Sequence, residues 1–351
     1  SLAVQRPATR AAADEAEATG TYETLVEEIG KHRSALADPH VAHDPFDLDA
    51  ADCSRGLSTG VAWMSELLGG GFRGGNLYNI IIPTGVGKTT LACQLGFSFA
   101  QMGMPASLIF SEQSMAEREM PAKFWSLATG YKSDEFLTDG FHDRLEITED
   151  HETVIKVVRN SLDVYDFART PGSLEEVENI ALGRNGHRKP RLLQIDWAGE
   201  FAEQLVNKMP VFQGSITRAL EYLPKYLARL SRQADIPIVL YHQLAPAQVG
   251  SPTKAYHHSM AHQCKSFCDN ASYAGVMGPP DKNNVVKFCW TKTRWSGASS
   301  AILQRLGTHS RFDALAGYRE TRRGFEPISD AKNPTIHDPT KKKRQSNSDW
   351  S

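Results

Sequence analysis

The strongest chemical signal in the sequence is a glycine-rich stretch that ends in a lysine and two hydroxyl residues. It consists of Pro83, Thr84, Gly85, Val86, Gly87, Lys88, Thr89 and Thr90. Glycines let backbone N–H groups converge on a phosphate, and the lysine after them reaches the β- and γ-phosphates of a nucleotide. An apolar run precedes the stretch and an apolar helical pattern follows it, which is the context of a phosphate-binding loop. Ile82 stands where the usual motif has its first glycine, and the competing interpretation is an ordinary glycine-rich turn.

A second part of the same site is predicted at Asp196, the last residue of the apolar run 192–196. The carboxyl ends of parallel strands meet at one edge of a sheet, beside a bound nucleotide. Carboxylate and hydroxyl oxygens are the ligands that Mg²⁺ prefers, so Asp196 and Thr89 are the predicted metal ligands. The sequence therefore predicts ATP with Mg²⁺ as the bound species. The alternative is that Asp196 is one of the many acids that happen to end a strand.

Short apolar runs that alternate with longer amphipathic stretches predict the elements that position these residues. Six strands are predicted, at residues 76–82, 106–111, 191–196, 236–241, 273–277 and 285–291. A helix is predicted at residues 216–233, where leucines recur at three- and four-residue spacing. This alternation is typical of a mostly parallel sheet flanked by crossover helices, an α/β fold.

The ends of the chain differ from its middle. The net charge is −2 over 351 residues, but residues 1–53 carry eleven acids against four basic residues, and residues 332–351 carry five basic residues against two acids. We predict a disordered N-terminus (1–20), a linker helix at 21–37 followed by an acidic linker (21–54 together), one large domain (55–328) and a basic disordered tail (329–351). The apolar stripe of the linker helix needs a partner, either this domain or another subunit.

Composition limits the class of protein. Charged residues make up 23% and hydrophobic residues 40% of the chain, which is ordinary globular usage. We find no apolar run of the roughly 18 residues that a membrane span needs, and no signal peptide. Five scattered cysteines fit a reducing compartment, so we expect a cytoplasmic protein.

The order of motifs resembles the RecA-like ATPase core of DnaB-type replicative helicases over residues 55–318. The motifs are Ser58-Thr59-Gly60, Gly69 to Phe72, the phosphate-binding loop, Leu108 to Ser114, Asp196, Tyr241 to Leu244, and Trp290 to Arg294. The resemblance implies a homohexameric ring that hydrolyses ATP, moves on single-stranded DNA and acts in DNA replication. A primase or a helicase loader would be a further partner.

The resemblance also assigns roles beyond the phosphate-binding loop. Gln243 is implied as the sensor that links the γ-phosphate to the DNA-binding loops, and Arg294, with Lys292 beside it on a strand, as an arginine finger for a neighbouring subunit. The implied DNA contacts lie in two loops, at Lys208, Lys254, His262 and Lys265. Competing interpretations are a turn cap for Gln243 and a solvated basic edge for the cations.

Gln113 departs from the family pattern, which has a water-polarising glutamate at this position. Glutamine can hold a water molecule but cannot accept its proton. Three explanations stay open: Glu112 is the base, the protein hydrolyses ATP slowly, or Gln113 replaces a native glutamate to trap the ATP-bound state. We favour the third, because the sequence begins at Ser1 rather than at a methionine.

An alternative function follows from the same substitution. A RecA- or KaiC-like protein that coats DNA or regulates by binding ATP, without unwinding, would need little hydrolysis. The Lys292-x-Arg294 pair favours the helicase branch over this alternative.

Overall fold

The computed structural model describes residues 56–294, 300–321 and 324–328. The predicted N-terminal segments (1–20 and 21–54) and the predicted basic tail (329–351) lie outside the described residues. No helix in the described part of the chain is long and apolar enough to cross a membrane.

Seven α-helices and eleven strands are described. The helices are α1 (Ala62–Leu67), α2 (Lys88–Gln101), α3 (Glu119–Thr129), α4 (Glu149–Ser161), α5 (Leu174–Leu182), α6 (Ala198–Lys208) and α7 (Ile216–Ala234). The strands are β1 (Leu77–Ile82), β2 (Ala106–Phe110), β3 (Leu162–Asp166), β4 (Leu192–Asp196), β5 (Ile238–Gln243), β6 (Tyr273–Met277), β7 (Val285–Lys292), β8 (Ser300–Leu306), β9 (Arg311–Ala314), β10 (Tyr318–Thr321) and β11 (Gly324–Pro327). Short 3₁₀ turns lie at Glu135–Leu137, His142–Arg144, Pro210–Phe212, Pro246–Gln248, His258–Met260 and Gly307–His309.

A nine-stranded sheet organises the molecule, in the order β3-β2-β4-β5-β1-β6-β7-β8-β9. The first six strands in this order are parallel. The last three continue the sheet in antiparallel pairs. Strands β10 and β11 form a separate antiparallel hairpin. The predicted fold class, an α/β fold with a mostly parallel central sheet, is confirmed.

The central strand β1 shows why the sheet must be covered on both faces, since every one of its residues is buried. Leu77 and Ile81 belong to a core formed with α5, α6 and α7. Tyr78, Ile80 and Ile82 belong to a second core formed with α1 and α2. Successive side chains of a strand point to opposite faces, so an unbroken apolar run builds two cores at once.

Helix α7 follows its sequence pattern closely. Ser215 caps its N-terminus by accepting a hydrogen bond from the backbone N–H of Arg218. The leucines predicted to share one face are buried, at positions Leu220, Leu223, Leu227 and Leu230. The helix ends at Asp235, which has a left-handed backbone with φ of 52°.

Three strands of the main sheet were not predicted. Strand β3 occupies one edge and is half-buried along its whole length, so its sequence lacks a continuous apolar run. Strands β8 and β9 occupy the other edge and are also only partly buried. The predicted strand at 236–241 instead runs from Ile238 to Gln243, because Pro237 has no N–H to donate to a ladder.

The β8–β9 hairpin is fixed against the helix that follows the phosphate-binding loop. The side chain of Gln94 on α2 donates to the carbonyl oxygen of Phe312 at 3.1 Å and accepts from its N–H at 2.9 Å. The indole N–H of Trp63 donates to the same carbonyl oxygen at 3.2 Å. The Phe312 ring lies against Gly87, where a Cβ would be only 2.9 Å from the ring. Gly87 also has a φ of 124°, so both space and backbone require glycine there.

Phe312→Ala is expected to lower the free energy of unfolding by about 3–5 kcal/mol, because it leaves a cavity under the phosphate-binding loop. Urea unfolding measures the change. Phe312→Leu keeps most of the volume and should lose less than half as much. A loss below about 1 kcal/mol for Phe312→Ala would show that the hairpin is not held through this ring.

Candidate nucleotide-binding site

A polar cleft of about 240 Å³ opens at the carboxyl edge of the parallel strands. It is lined by Ile82, Pro83, Thr84, Gly85, Gly87, Lys88, Thr89, Thr90, Glu112, Gln113, Lys123, Gln243 and Arg305. Most residues of the predicted phosphate-binding loop are therefore on its wall. Val86 is the exception, since it is buried in the core.

The loop is positioned by the elements on either side of it. Strand β1 ends at Ile82 and α2 begins at Lys88, so the loop spans the gap between a buried strand and a helix N-terminus. Gly85 and Gly87 both have positive φ, of 75° and 124°. The free N–H groups and the dipole of a helix N-terminus favour a phosphate at this position.

Lys88 is the electrostatic centre of the cleft. Its Nζ lies 3.0 Å from Oε2 of Glu112 and 3.2 Å from Oδ1 of Asp196. The ammonium also lies 4.9 Å from the centre of the Trp197 ring. One cation is thus held by two carboxylates from two strand ends and by one aromatic face.

Asp196 is almost fully buried, with 2% of its surface exposed. Burial raises the pKa of its carboxyl group, while Lys88 and a hydrogen bond from the Thr89 side chain act in the opposite direction. The buried carboxylate and the hydroxyl that contacts it are oxygen donors at the foot of the loop. This donor set fits Mg²⁺, with Asp196 and Thr89 as the residues that would hold it.

Glu112 and Gln113 follow β2 and face the cleft differently. The Glu112 side chain is 47% exposed and reaches Lys88. The Gln113 side-chain oxygen is buried, and no donor among the described residues hydrogen-bonds to it. Two acceptors of unequal basicity therefore lie side by side at this edge.

Gln243 is the last residue of β5, paired in register with Ile82 of β1. Its side chain reaches the cleft. Its carbonyl oxygen accepts from the N–H of His262 at 2.9 Å, so the segment after β5 folds back onto the strand end. Gln243 thus contacts both the cleft and the segment that contains three of the four predicted DNA contacts, Lys254, His262 and Lys265.

Sequence reasoning did not identify an aromatic stack beneath Lys88. The ring centres of Trp197 and His242 are 5.6 Å apart, and those of His242 and Phe267 are 4.3 Å apart. The Nε2–H of His242 donates to the carbonyl oxygen of His262 at 2.7 Å. Trp197 directly follows Asp196 and His242 directly precedes Gln243, and this adjacency was the available signal.

Lys123 on α3 and Arg305 on β8 also line the cleft and were not predicted. Neither belongs to a motif, since α3 lies between motifs and β8 belongs to an unpredicted edge of the sheet. Lys88, Lys123 and Arg305 are the cations of the lining residues, and Glu112 is the carboxylate among them. This excess of positive charge suits a polyphosphate.

Neither residue of the predicted basic pair lines this cleft. Strand β7 is antiparallel to β6, so its last residue, Lys292, pairs with Ala274 at the amino edge of the parallel strands. The Lys292 ammonium donates to the carbonyl oxygens of Cys268 and Asp269, at 3.0 and 2.7 Å. Arg294 is exposed and lies two residues beyond the end of β7. The prediction that both residues lie on one strand is therefore wrong for Arg294. The alternation of side chains along a strand cannot be used to infer where the Arg294 side chain points.

The four predicted DNA contacts differ in their surroundings. Lys208 donates to the carbonyl oxygens of Pro171 and Gly172 at 2.6 and 3.0 Å. Lys254 donates to the carbonyl oxygen of Gln248 at 2.8 Å. Both ammonium groups are thus held by backbone of their own chain. His262 is partly buried beside β5, and Lys265 is exposed.

Comparison with known proteins places the fold. No family model and no curated protein matches the sequence. One solved ATPase domain matches with a TM-score of 0.60 at 15% identity, covering 77% of this chain and 95% of that one. A DnaB-like replicative helicase, solved in a study of its interactions with primase, matches with a TM-score of 0.63 at 16% identity, covering 86% and 76%. The chain has the RecA-like fold of the DnaB-type helicases.

The predicted resemblance to DnaB-type ATPase cores is thus confirmed at the level of the fold. RadB recombinase also matches, at 16% identity over 78% of this chain and 99% of that one, but with a TM-score of 0.46.

Burial of His242 makes a testable contribution to stability. Burial lowers the pKa of His242 to about 4, from an ordinary value of 6.5. Between these values the unfolded chain binds a proton that the folded chain does not, so the free energy of unfolding falls as the pH falls. His242→Phe keeps a ring between Trp197 and Phe267 but removes the proton site.

Between pH 7 and pH 5, the variant should lose about 2 kcal/mol less unfolding free energy than the wild type. Chemical unfolding at the two pH values measures the difference. His258, whose pKa burial also lowers, is present in both proteins and cancels. An identical loss in both proteins would contradict a neutral, buried His242.

Proposed function

We propose that this chain is an ATP-dependent DNA helicase that works as a homohexameric ring on single-stranded DNA during replication. The observation that carries the proposal is the convergence of Lys88, Glu112, Gln113 and Gln243 on one cleft at the carboxyl edge of a RecA-like sheet, with the buried Asp196 in contact with Lys88. A primase or a helicase loader is the further partner that the proposal includes.

Lys88 would exchange its partners when ATP binds. Its two carboxylate contacts, at 3.0 and 3.2 Å, neutralise a largely buried cation. The β- and γ-phosphates would offer the ammonium charge-assisted contacts of the same kind, and Glu112 would be displaced first because it is the exposed partner. Asp196 and Thr89 would hold Mg²⁺, which would supply positive charge against the phosphates.

The attacking water would lie at the Glu112–Gln113 side of the cleft. The buried Gln113 oxygen accepts a hydrogen bond from the water and orients it. Glutamine takes no proton at neutral pH, whereas the released Glu112 carboxylate can. Hydrolysis by the chain with Gln113 therefore depends on Glu112. If Gln113 replaces a native glutamate, this dependence is the defect that traps the ATP-bound state.

Gln113→Glu tests the catalytic assignment. Restoring a base beside the water should raise ATP turnover by at least about 10²-fold, the usual contribution of one general base. Steady-state phosphate release measures it, and the same protein should then separate a forked DNA duplex when ATP is supplied. Lys88→Ala in the Gln113→Glu background is the control and should abolish both activities.

Unchanged turnover in Gln113→Glu, with a loss in Glu112→Gln, would make Glu112 the base and refute the trapped-state hypothesis. Rapid ATP turnover without strand separation would instead refute the helicase assignment.

The proposal divides the active site between subunits. Lys292 pairs with Ala274 of β6, and neither Lys292 nor Arg294 lines the chain's own cleft, which supports a role for them at another chain's nucleotide. The contacts with carbonyl oxygens hold the Lys292 side chain in place, so its role there is structural. Arg294 is exposed and is the proposed arginine finger.

In the Gln113→Glu background, Arg294→Ala should leave ATP affinity intact and lower turnover by about 10³-fold or more. Mixing it with Lys88→Ala subunits should restore part of the activity, because each mutant supplies what the other lacks. Arg319→Ala removes an exposed arginine from the β10–β11 hairpin and is the matched control. Absence of rescue on mixing would argue against a shared site.

The proposed DNA contact uses the segment between β5 and β6. The His262 N–H of this segment donates to the carbonyl oxygen of Gln243. A movement of Gln243 on loss of the γ-phosphate would therefore also move the segment. Lys265 is the best placed of the predicted cations because it is exposed, whereas Lys208 and Lys254 are held by carbonyl oxygens. Such contacts follow the phosphate backbone without distinguishing bases.

A non-motor ATP-binding protein is the less favoured function. Gln113 is the observation that supports it, and the turnover of Gln113→Glu separates the two functions.

A further inference from the structure

Arg305 is the one lining cation of the cleft that comes from the antiparallel end of the sheet, among the residues that the structure describes. It lies on β8, and its Nη2 donates to the carbonyl oxygen of Gly85 in the phosphate-binding loop at 2.9 Å. The two residues are 220 positions apart in the sequence. Because the two residues are so far apart in the sequence, another element of the fold must hold the arginine beside the loop.

The β8–β9 hairpin is such an element. Arg305 pairs in register with Phe312. The Gln94 side chain hydrogen-bonds to both the N–H and the carbonyl oxygen of Phe312, and the Phe312 ring lies against Gly87. The N–H of Arg305 also donates to the carbonyl oxygen of Asn284 at 2.9 Å. The guanidinium is thus presented to the loop by a hairpin that is itself packed on the loop.

The charge of Arg305 is not balanced by the described chain that surrounds it. The six ion pairs formed within residues 56–294, 300–321 and 324–328 do not include this arginine. Burial lowers its pKa, so the surroundings oppose the charge. A guanidinium has five N–H donors, and the Gly85 carbonyl oxygen takes only one of them.

The space beside the arginine is open. A Cβ built on Gly85 would meet no atom within 4 Å among the described residues. Cations, backbone N–H groups and a helix N-terminus surround this space, which is the environment of a polyphosphate.

We propose that Arg305 binds the phosphate chain of the nucleotide held by its own subunit, as a second cation beside Lys88. This inference rests on the proposed function, since it needs a nucleotide in the cleft. Arg305 would contact the phosphates from the hairpin side while its Gly85 contact holds the loop. It is distinct from Arg294, which serves another chain's site.

The alternative role for Arg305 is to brace the loop through Gly85 without touching the ligand. Arg305→Gln separates the two roles, because the glutamine amide can still donate to a carbonyl oxygen but carries no charge. Arg305→Lys keeps the charge on a different donor. Arg311→Gln is the matched control, since Arg311 lies on the same hairpin but is paired with Asp313 at 3.1 Å and does not line the cleft.

Calorimetric titration of the full chain with ATP and with inorganic tripolyphosphate measures the effect. Arg305→Gln should lower the affinity for both ligands by about tenfold or more, as expected for a lost charge-assisted contact. Arg305→Lys should recover part of the affinity, and Arg311→Gln should stay within about twofold of the wild type. The affinity of Arg305→Gln should also fall less steeply with added salt than that of the wild type.

Wild-type affinity in Arg305→Gln would overturn the inference in favour of loop bracing. Weaker ATP binding with unchanged tripolyphosphate binding would also overturn it, because the contact would then be to the base or the sugar. Failure of the proposed function gives a different result: the wild type binds neither ligand, or binds both only as well as Lys88→Ala does.

Discussion

A buried lysine between two carboxylates is the interaction around which the site is built. Lys88 Nζ lies about equally far from Glu112 and Asp196, at 3.0 and 3.2 Å, in a position where its side chain is only 10% exposed. A charge with so little water needs counter-charges at fixed positions, because unpaired burial costs several kcal/mol. The parallel strands supply them, since β2 and β4 end beside each other and beside the loop that follows β1. Residues that follow three separate strands in the sequence are thereby brought together in one cluster.

The same cluster shows how the site can respond to a ligand. Asp196 is buried and fixed, whereas Glu112 is half exposed and free to leave. In the proposed function, an incoming phosphate would compete with Glu112 and share the lysine with Asp196. Trp197 lies beneath the ammonium and stacks on His242, which in turn stacks on Phe267 in the segment after β5. His242 also donates to the carbonyl oxygen of His262, so a continuous set of contacts leads from Lys88 to the backbone of that segment.

The parallel half of the fold and the loop could be predicted because their signals are local. Buried strands read as apolar runs, and Gly85, Gly87 and Lys88 stand at fixed spacing. Arg305 could not be predicted, because its approach to Gly85 depends on an antiparallel hairpin whose strands are half-buried and carry little apolar periodicity. The predicted strand at 285–291 came within one residue of the end of β7, which stops at Lys292, so Arg294 lies beyond the strand on which the resemblance placed it.

The antiparallel pairing of β7 with β8 has a geometric consequence. Strand β7 ends at the amino edge of the sheet and β8 ends at the carboxyl edge, so Lys292 and Arg305 stand at opposite ends of one two-stranded ribbon. An eight-residue strand is about 25 Å long, and its ladder of hydrogen bonds makes it stiff. In the ring that we propose, this ribbon would connect the arginine beside the chain's own nucleotide with the lysine assigned to a neighbour's nucleotide. A tilt of the ribbon would then move both residues together, so that the surroundings of one nucleotide would depend on those of the next.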